Sequence, residues 1–237
     1  MKVAVITGGS KGIGRAIAEK LLLRGYHLIV TYRVEDDSVE SLKNKYGDRI
    51  ELVKLDQKRY ENNNILVNLI KDKYKKVDIL VCNAGTTVRK ELTEITNDDW
   101  NNVFNVGLNF HFYLIRDIYD CIKHNSNILF IGSAMALYPH SMSIAYGVMK
   151  AAVHALALNL VKHFDGTGTR VNVLVPGFVD TEWQKQKPVD IRNNICNKTA
   201  MHRFSSVNEV AEAALFCIDN TYMTGSILNL TGGYSYK

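Results

Sequence analysis

Four consecutive apolar residues near the start, Val3-Ala4-Val5-Ile6, end abruptly at Thr7-Gly8-Gly9. A short, continuous apolar run cut off by turn residues is how a strand buried on both faces of a parallel sheet reads. Runs at Leu28 to Val30, Ile50 to Lys54, Val77 to Cys82, Ile128 to Ile131, Val171 to Val175 and Ile227 to Leu230 read as further strands. Helical patterns lie between them. The first carries Ile13, Ala16, Ile17 and Leu21 on one face, with Gly25 as its stop. The next span Glu35 to Tyr46 and Tyr60 to Tyr74, followed by a long segment from Asn97 to His124 with Thr96 as N-cap and Asp98 and Asp99 in its first turn. Ser143 to Lys162 and Val207 to Cys217 read as helices, and Thr181 to Ser206 as an irregular, polar stretch. Strands and helices alternating at this spacing imply crossover connections and a parallel sheet with helices on both faces. No repeat or Gly/Ser-rich linker divides the 237 residues, so the expected architecture is one doubly wound α/β domain spanning 1–237.

Composition narrows the function classes. A net charge of +5 is spread along the chain without a basic run, which steers weakly toward anions and is not a nucleic-acid footprint. The four cysteines form no Cys-x-x-Cys pair, and the seven histidines show no metal-ligand spacing, so no metal is expected. The apolar runs look too short to span a membrane, and the chain starts directly on a strand, which together imply a cytoplasmic protein.

Three local patterns carry chemistry. The turn Thr7-Gly8-Gly9-Ser10-Lys11-Gly12-Ile13-Gly14 lies between a strand and a helix, where glycines let phosphates approach the N–H groups at the positive helix end. Its glycine spacing (Gly8, Gly12, Gly14) differs from the common dinucleotide fingerprint. The position after the second strand selects between a ribose hydroxyl and a 2′-phosphate. There the chain has Tyr32 and Arg33, and Lys11 in the Gly-rich turn offers a second cation; both favour NADP(H), with Tyr32 against the adenine. Arg33 has an alternative, pairing with Glu35, Asp36 and Asp37, which follow it. Finally, Tyr146 and Lys150 stand four apart on a helical stretch and so share a face. A neighbouring ammonium is expected to lower the phenol pKa and suit it to acid–base work, although such pairs also occur on solvated faces.

From Lys2 to Gly233 the chain resembles the short-chain dehydrogenase/reductase family. The family's Thr-Gly-x-x-x-Gly-x-Gly is met by Thr7 to Gly14, and its Asn-Asn-Ala-Gly appears as Cys82-Asn83-Ala84-Gly85, with Cys in place of the first Asn. The resemblance implies a Rossmann fold and a catalytic set of Asn105, Ser133, Tyr146 and Lys150. It also implies cofactor contacts at Gly8, Ser10, Lys11, Gly12, Ile13, Gly14, Asp56, Gln57, Asn83, Ala84, Gly85, Tyr146 and Lys150, with Pro176, Gly177, Val179 and Thr181 at the nicotinamide end. In the implied reaction Tyr146 exchanges a proton with a substrate oxygen oriented by Ser133. Lys150 lowers the phenol pKa and binds the ribose, and Asn105 holds a water leading from Lys150 to solvent.

The pattern is most similar to 3-oxoacyl-carrier-protein reductases and related ketoreductases, which implies a small carbonyl or alcohol substrate, free or carrier-bound, and a homo-oligomeric dimer or tetramer. Carrier-docking members tend to be basic in two places. Here Lys123 and His124 occupy the first, and Thr167, with Arg170 nearby, the second. The expected substrate lid, about 181–206, carries Lys185, Lys187, Arg192, Lys198 and Arg203 against Glu182 and Asp190, which suits either an anionic substrate or a solvated mobile loop. His140, Tyr138 and Met142 lie on the expected substrate side, as contacts or as packing. Two other functions stay open: a non-catalytic NADP(H)-binding redox sensor or scaffold, and an NAD-linked alcohol dehydrogenase.

Overall fold

The computed structural model describes residues 1–138 and 141–234. The first half runs β1 (Val3–Ile6), α1 (Gly12–Leu23), β2 (His27–Tyr32), α2 (Asp37–Tyr46), β3 (Ile50–Lys54), α3 (Asn63–Leu69), β4 (Ile79–Cys82), α4 (Asn97–Phe104), α5 (Phe110–Asp117) and α6 (Tyr119–Ile122). The second half runs β5 (Asn127–Ile131), α7 (Ile144–His163), β6 (Arg170–Pro176), α8 (Glu182–Lys185), α9 (Val189–Asn197), α10 (Val207–Asp219) and β7 (Ile227–Leu230). The seven strands form one parallel sheet in the order β3-β2-β1-β4-β5-β6-β7. The strand order reverses between β1 and β4, and a crevice opens there beyond the carboxyl ends of the strands.

The continuous apolar runs are strands with both faces covered. Val3 and Val5 point into a core shared with α5 and α7, whereas Ala4 and Ile6 point into a second core with α1 and α10. Every residue of β1 and β5 is buried. The N-cap at Thr96 is in place, with its hydroxyl accepting from Asp99 N–H at 3.1 Å and the Asp99 carboxylate accepting in return from Thr96 N–H.

Four sequence expectations need correction. The segment Asn97 to His124 is not one helix: five π-helical residues, Asn105–Asn109, separate α4 from α5. A Cβ at Gly107 would lie 2.4 Å from Met149 of α7, so the π turn packs directly against that helix. Likewise, Tyr60 to Tyr74 is α-helical only in α3, with a 3-10 turn before it and a π turn after it. The polar stretch after Thr181 contains α8 and α9; Pro188 opens α9, which buries Ile195. Last, α7 is long and apolar enough to cross a membrane, contrary to the sequence reading. It is the central helix of one core and buries Ala145, Met149, Val153, Ala157 and Leu160.

Candidate active site

The crevice is a cleft of about 550 Å³ that reaches from the β1–α1 turn to α7 and α8. Gly8 and Gly12 hold φ of +62° and +54°, a backbone region in which side chains are strained, so the turn can pass under the cleft only with glycine at these points. The turn is tied down on both sides. Gly8 N–H donates to Thr31 Oγ1 at 3.0 Å, and the Asn83 amide donates to the carbonyls of Thr7 and Gly8 at 2.9 and 3.0 Å. Gly14 does not line the cleft; a Cβ there would sit 2.5 Å from that Asn83 amide and 2.7 Å from the Gly8 carbonyl. It is glycine so that α1 can pack against the turn.

α1 begins without a side-chain cap and with no acid in its first turn, whereas α2, α4 and α10 have both. Its uncompensated positive end lies at Gly12 and Ile13, both on the cleft wall. At the end of β2, Tyr32 is buried and lines the cleft beside the exposed Arg33, which makes no ion pair with any described residue. Two of the three acids after it are engaged elsewhere. Glu35 pairs with Lys54 at 3.7 Å, while Asp36 caps α2 and holds the Lys11 ammonium, with the Lys11 and Ser38 hydrogen bonds lowering its carboxyl to about 2. Lys11, expected as a second cation for the cofactor, is therefore already paired. Asp56, Gln57, Ala84 and Gly85 line the same end.

At the other end Ser133, Tyr146 and Lys150 meet, with Pro176, Gly177, Val179 and Thr181 on the facing wall. Ser133 caps a short 3-10 turn after β5, its Oγ accepting from Met135 N–H at 3.2 Å. Lys150 is buried, donates to the Ile131 carbonyl at 2.6 Å, and lies 5.7 Å from the Tyr146 ring centroid. Burial lowers the ammonium to about 8. The expected lowering of the phenol is not found: burial pushes Tyr146 up to about 12, with the Ser133 hydroxyl pulling the other way. Desolvation outweighs the nearby cation because Lys150 is anchored on a backbone carbonyl rather than on the phenol oxygen.

Asn105 and Ser10 do not line the cleft. The Asn105 amide donates to the Lys58 carbonyl at 3.3 Å, and its oxygen accepts from Asn109 at 2.9 Å. Tyr138 packs on Tyr234, at 5.8 Å between ring centroids, and His140 lies outside the described residues.

Sequence reasoning missed His111, His154, Arg89 and Trp183. His111 is buried at the base of the site. Its Nδ1–H donates to the Gly107 carbonyl at 3.1 Å, which leaves Nε2 to accept the Thr7 hydroxyl proton at 2.9 Å. Thr7 Oγ1 in turn accepts from the N–H groups of Asn83 and Ala84 at 2.9 and 3.0 Å. One imidazole thereby links the π turn, β1 and the turn after β4. His154, also buried, leaves Nε2 without a partner, and burial with the nearby Lys150 charge lowers it to about 4. Arg89 and Trp183 also line the cleft, where Trp183 meets Tyr146 edge-on at 6.1 Å. The histidine contacts join distant parts of the chain, so no local spacing announces them.

Residues 8–235 match the family model described as enoyl-(acyl carrier protein) reductase. The chain belongs to the short-chain dehydrogenase/reductase family. It is 31% identical to the 3-oxoacyl-[acyl-carrier-protein] reductase FabG of Salmonella typhimurium, over 98% of this chain and 96% of that protein. A short-chain dehydrogenase/reductase from Serratia marcescens superposes with a TM-score of 0.92 at 26% identity, over 99% of this chain and 98% of the other. A blue fluorescent protein from a metagenomic library, solved in complex with NADPH, superposes equally well, with a TM-score of 0.92, 26% identity and the same coverage. Membership makes this protein an oxidoreductase, a dehydrogenase/reductase of nicotinamide dinucleotides.

Proposed function

We propose that this short-chain dehydrogenase/reductase uses NADPH to reduce a carbonyl to a secondary alcohol, with a 3-oxoacyl thioester as the leading substrate class. The observation that carries the reading is one cleft with an uncapped helix N-terminus and an unpaired Arg33 at one end and Ser133, Tyr146 and Lys150 at the other. These residues fit a phosphorylated dinucleotide. The α1 N–H groups suit the pyrophosphate, Arg33 suits a 2′-phosphate, and Pro176 to Thr181 flank the nicotinamide.

When bound, the dinucleotide supplies the hydride. The protein supplies the proton. Tyr146, protonated throughout the neutral range, donates from its hydroxyl to the carbonyl oxygen as charge develops there. Ser133 donates to the same oxygen and fixes its position. Lys150, cationic below about pH 8 and 5.7 Å from the phenol ring, is the nearby acid from which Tyr146 regains its proton, and it is recharged from solvent. Asn105 serves this relay through its place in the π turn rather than through its engaged amide.

The 3-oxoacyl preference is supported by likeness to proteins named 3-oxoacyl-[acyl-carrier-protein] reductase. In the two places expected to be basic, Lys123 and Arg170 already have partners within the chain. Lys123 pairs with Asp120 at 2.8 Å, and Arg170 donates to the carbonyls of Cys217, Ile218, Asn220 and Met223, which caps the end of α10. Phe112 of α5 and Val148 and Leu158 of α7 are exposed apolar side chains, which supports a homo-oligomer assembled through these helices.

The cofactor assignment is tested by titrating the protein with NADPH and NADH. Wild type is expected to bind NADPH at least about tenfold tighter, about 1.4 kcal/mol, and Arg33→Ala to bring the ratio close to one. Lys11→Ala is expected to change it less, because Lys11 is held by Asp36. Equal affinities in wild type would move the assignment to NADH.

A further inference from the structure

The strands on either side of the reversal in strand order, β1 and β4, end in turns that meet at one hydroxyl. Thr7 is fully buried, and its Oγ1 accepts from the N–H groups of Asn83 and Ala84 at 2.9 and 3.0 Å, which occupies both lone pairs. The hydroxyl proton needs an acceptor on the remaining side. The Val81 carbonyl is 3.4 Å away and already accepts from the N–H groups of Thr7 and Asn83, both at 3.1 Å. His111 Nε2 is closer, at 2.9 Å.

The form of the imidazole is decided at its other nitrogen. The Gly107 carbonyl, 3.1 Å from Nδ1, carries no proton, so Nδ1 is the donor and Nε2 of the neutral ring the acceptor. Burial keeps the ring neutral by lowering it to about 4. Phe110 and Phe130 meet it edge-on, with centroids at 6.0 and 6.4 Å, which holds its plane. The Thr7 hydroxyl therefore has one orientation, with its oxygen turned toward Asn83 and Ala84.

The consequences reach the cleft on two sides, although His111 does not line it. Gly8, Asn83 and Ala84 do, and a Cβ on Gly8 would sit 3.2 Å from the Ala84 Cα, so the two turns share one floor. Gly107 belongs to the π turn, whose Val106 lines the cleft, and it abuts Met149, the residue before Lys150.

We propose that His111 is a positioning residue for the dinucleotide: through Thr7 it fixes the floor formed by Gly8, Asn83 and Ala84, and through Gly107 it ties that floor to the helix carrying Tyr146 and Lys150. The inference rests on the dinucleotide reading above and gives a buried side chain outside the cleft a share in cofactor affinity. The floor is common to both dinucleotides. His111 accordingly sets the affinity for each, whereas Arg33 sets the ratio between them.

The test is a fluorescence titration with NADPH and with NADH of wild type, His111→Leu, Thr7→Val and the double variant. Each single substitution is expected to weaken both dinucleotides by about tenfold and to leave their ratio within about twofold of wild type. Because both remove the same hydrogen bond, the double variant is expected within about twofold of the weaker single, whereas independent effects would multiply to about a hundredfold. Thr7→Ser, which keeps the hydroxyl, is expected to recover most of the loss seen in Thr7→Val. Circular dichroism establishes that each variant is folded at the titration temperature, and Thr7→Val, which keeps the side-chain shape, carries the test if His111→Leu does not fold. Nitrogen-15 spectra of the histidine-labelled free protein read the tautomer directly, with the His111 proton expected on Nδ1. Wild-type binding that the single variants leave within about twofold, or losses that multiply in the double variant, would overturn the role of His111 and leave the dinucleotide reading standing. A proton on Nε2 would overturn it too. Failure of wild type to bind either dinucleotide would overturn the dinucleotide reading and this role with it.

Discussion

Tyr146→Phe is expected to lower NADPH-driven carbonyl reduction by about 10²- to 10⁴-fold while leaving NADPH affinity within about twofold. The phenol sits at about 12, so at neutral pH almost every molecule carries the proton that reduction consumes. Without the hydroxyl, Ser133 still orients the carbonyl but has no cation behind it. The affinity holds because the cofactor end is built from α1, Arg33 and the Gly-rich turn, none of which touches Tyr146. Steady-state kinetics with a parallel binding titration checks both halves. A loss smaller than about tenfold would mean that another group, or water, gives the proton.

Acid sensitivity is expected from His111. Burial lowers its imidazole to about 4, against an ordinary value of 6.5. As pH falls below 6.5 the unfolded chain takes up a proton that the folded one refuses until about pH 4. The unfolded state then binds more protons, and stability declines across that window. Fully developed, the gap is worth about 3 kcal/mol, of which about 2 kcal/mol should appear between pH 7.5 and pH 5. His154, also at about 4, adds to the decline in the same direction. Urea unfolding of wild type and His111→Asn at the two pH values measures the difference. The variant should lose less stability on acidification, even if it starts lower because the Thr7 contact is altered. Equal slopes would mean that His111 is not held neutral by its surroundings.

How much of this was legible beforehand depends on the range of the interaction concerned. Strands such as Val3–Ile6 and Asn127–Ile131 announce themselves because burial on both faces demands unbroken apolar runs. The Thr7 to Gly14 turn, Arg33, and the pairing of Tyr146 with Lys150 follow from local spacing, and the fold brings them to one cleft. Other features depend on groups far apart in sequence. The π turn at Asn105–Asn109 packs on Met149 of another helix. Asp36 engages Lys11 from across the β2–α2 connection. The phenol pKa turned on which atom Lys150 chose, and the Ile131 carbonyl is invisible from the spacing of Tyr146 and Lys150. Polar helices such as Val189–Asn197 were missed because their single apolar face is short and one buried Ile195 gives little periodicity.

The central claim is that this cleft moves a hydride from NADPH to a substrate carbonyl while Tyr146 supplies the proton. The measurement that reaches it most directly uses NADPH deuterated at the transferring position of the nicotinamide. It is incubated with the protein and a panel of 3-oxoacyl thioesters, oxo acids, ketones and diketones, and the products are read by mass spectrometry. The expected result is a secondary alcohol carrying one deuterium on the former carbonyl carbon, formed by wild type and not by Tyr146→Phe. Tight NADPH binding with no labelled alcohol anywhere in the panel would contradict it, and would leave a dinucleotide-binding protein that senses the cofactor without turning it over.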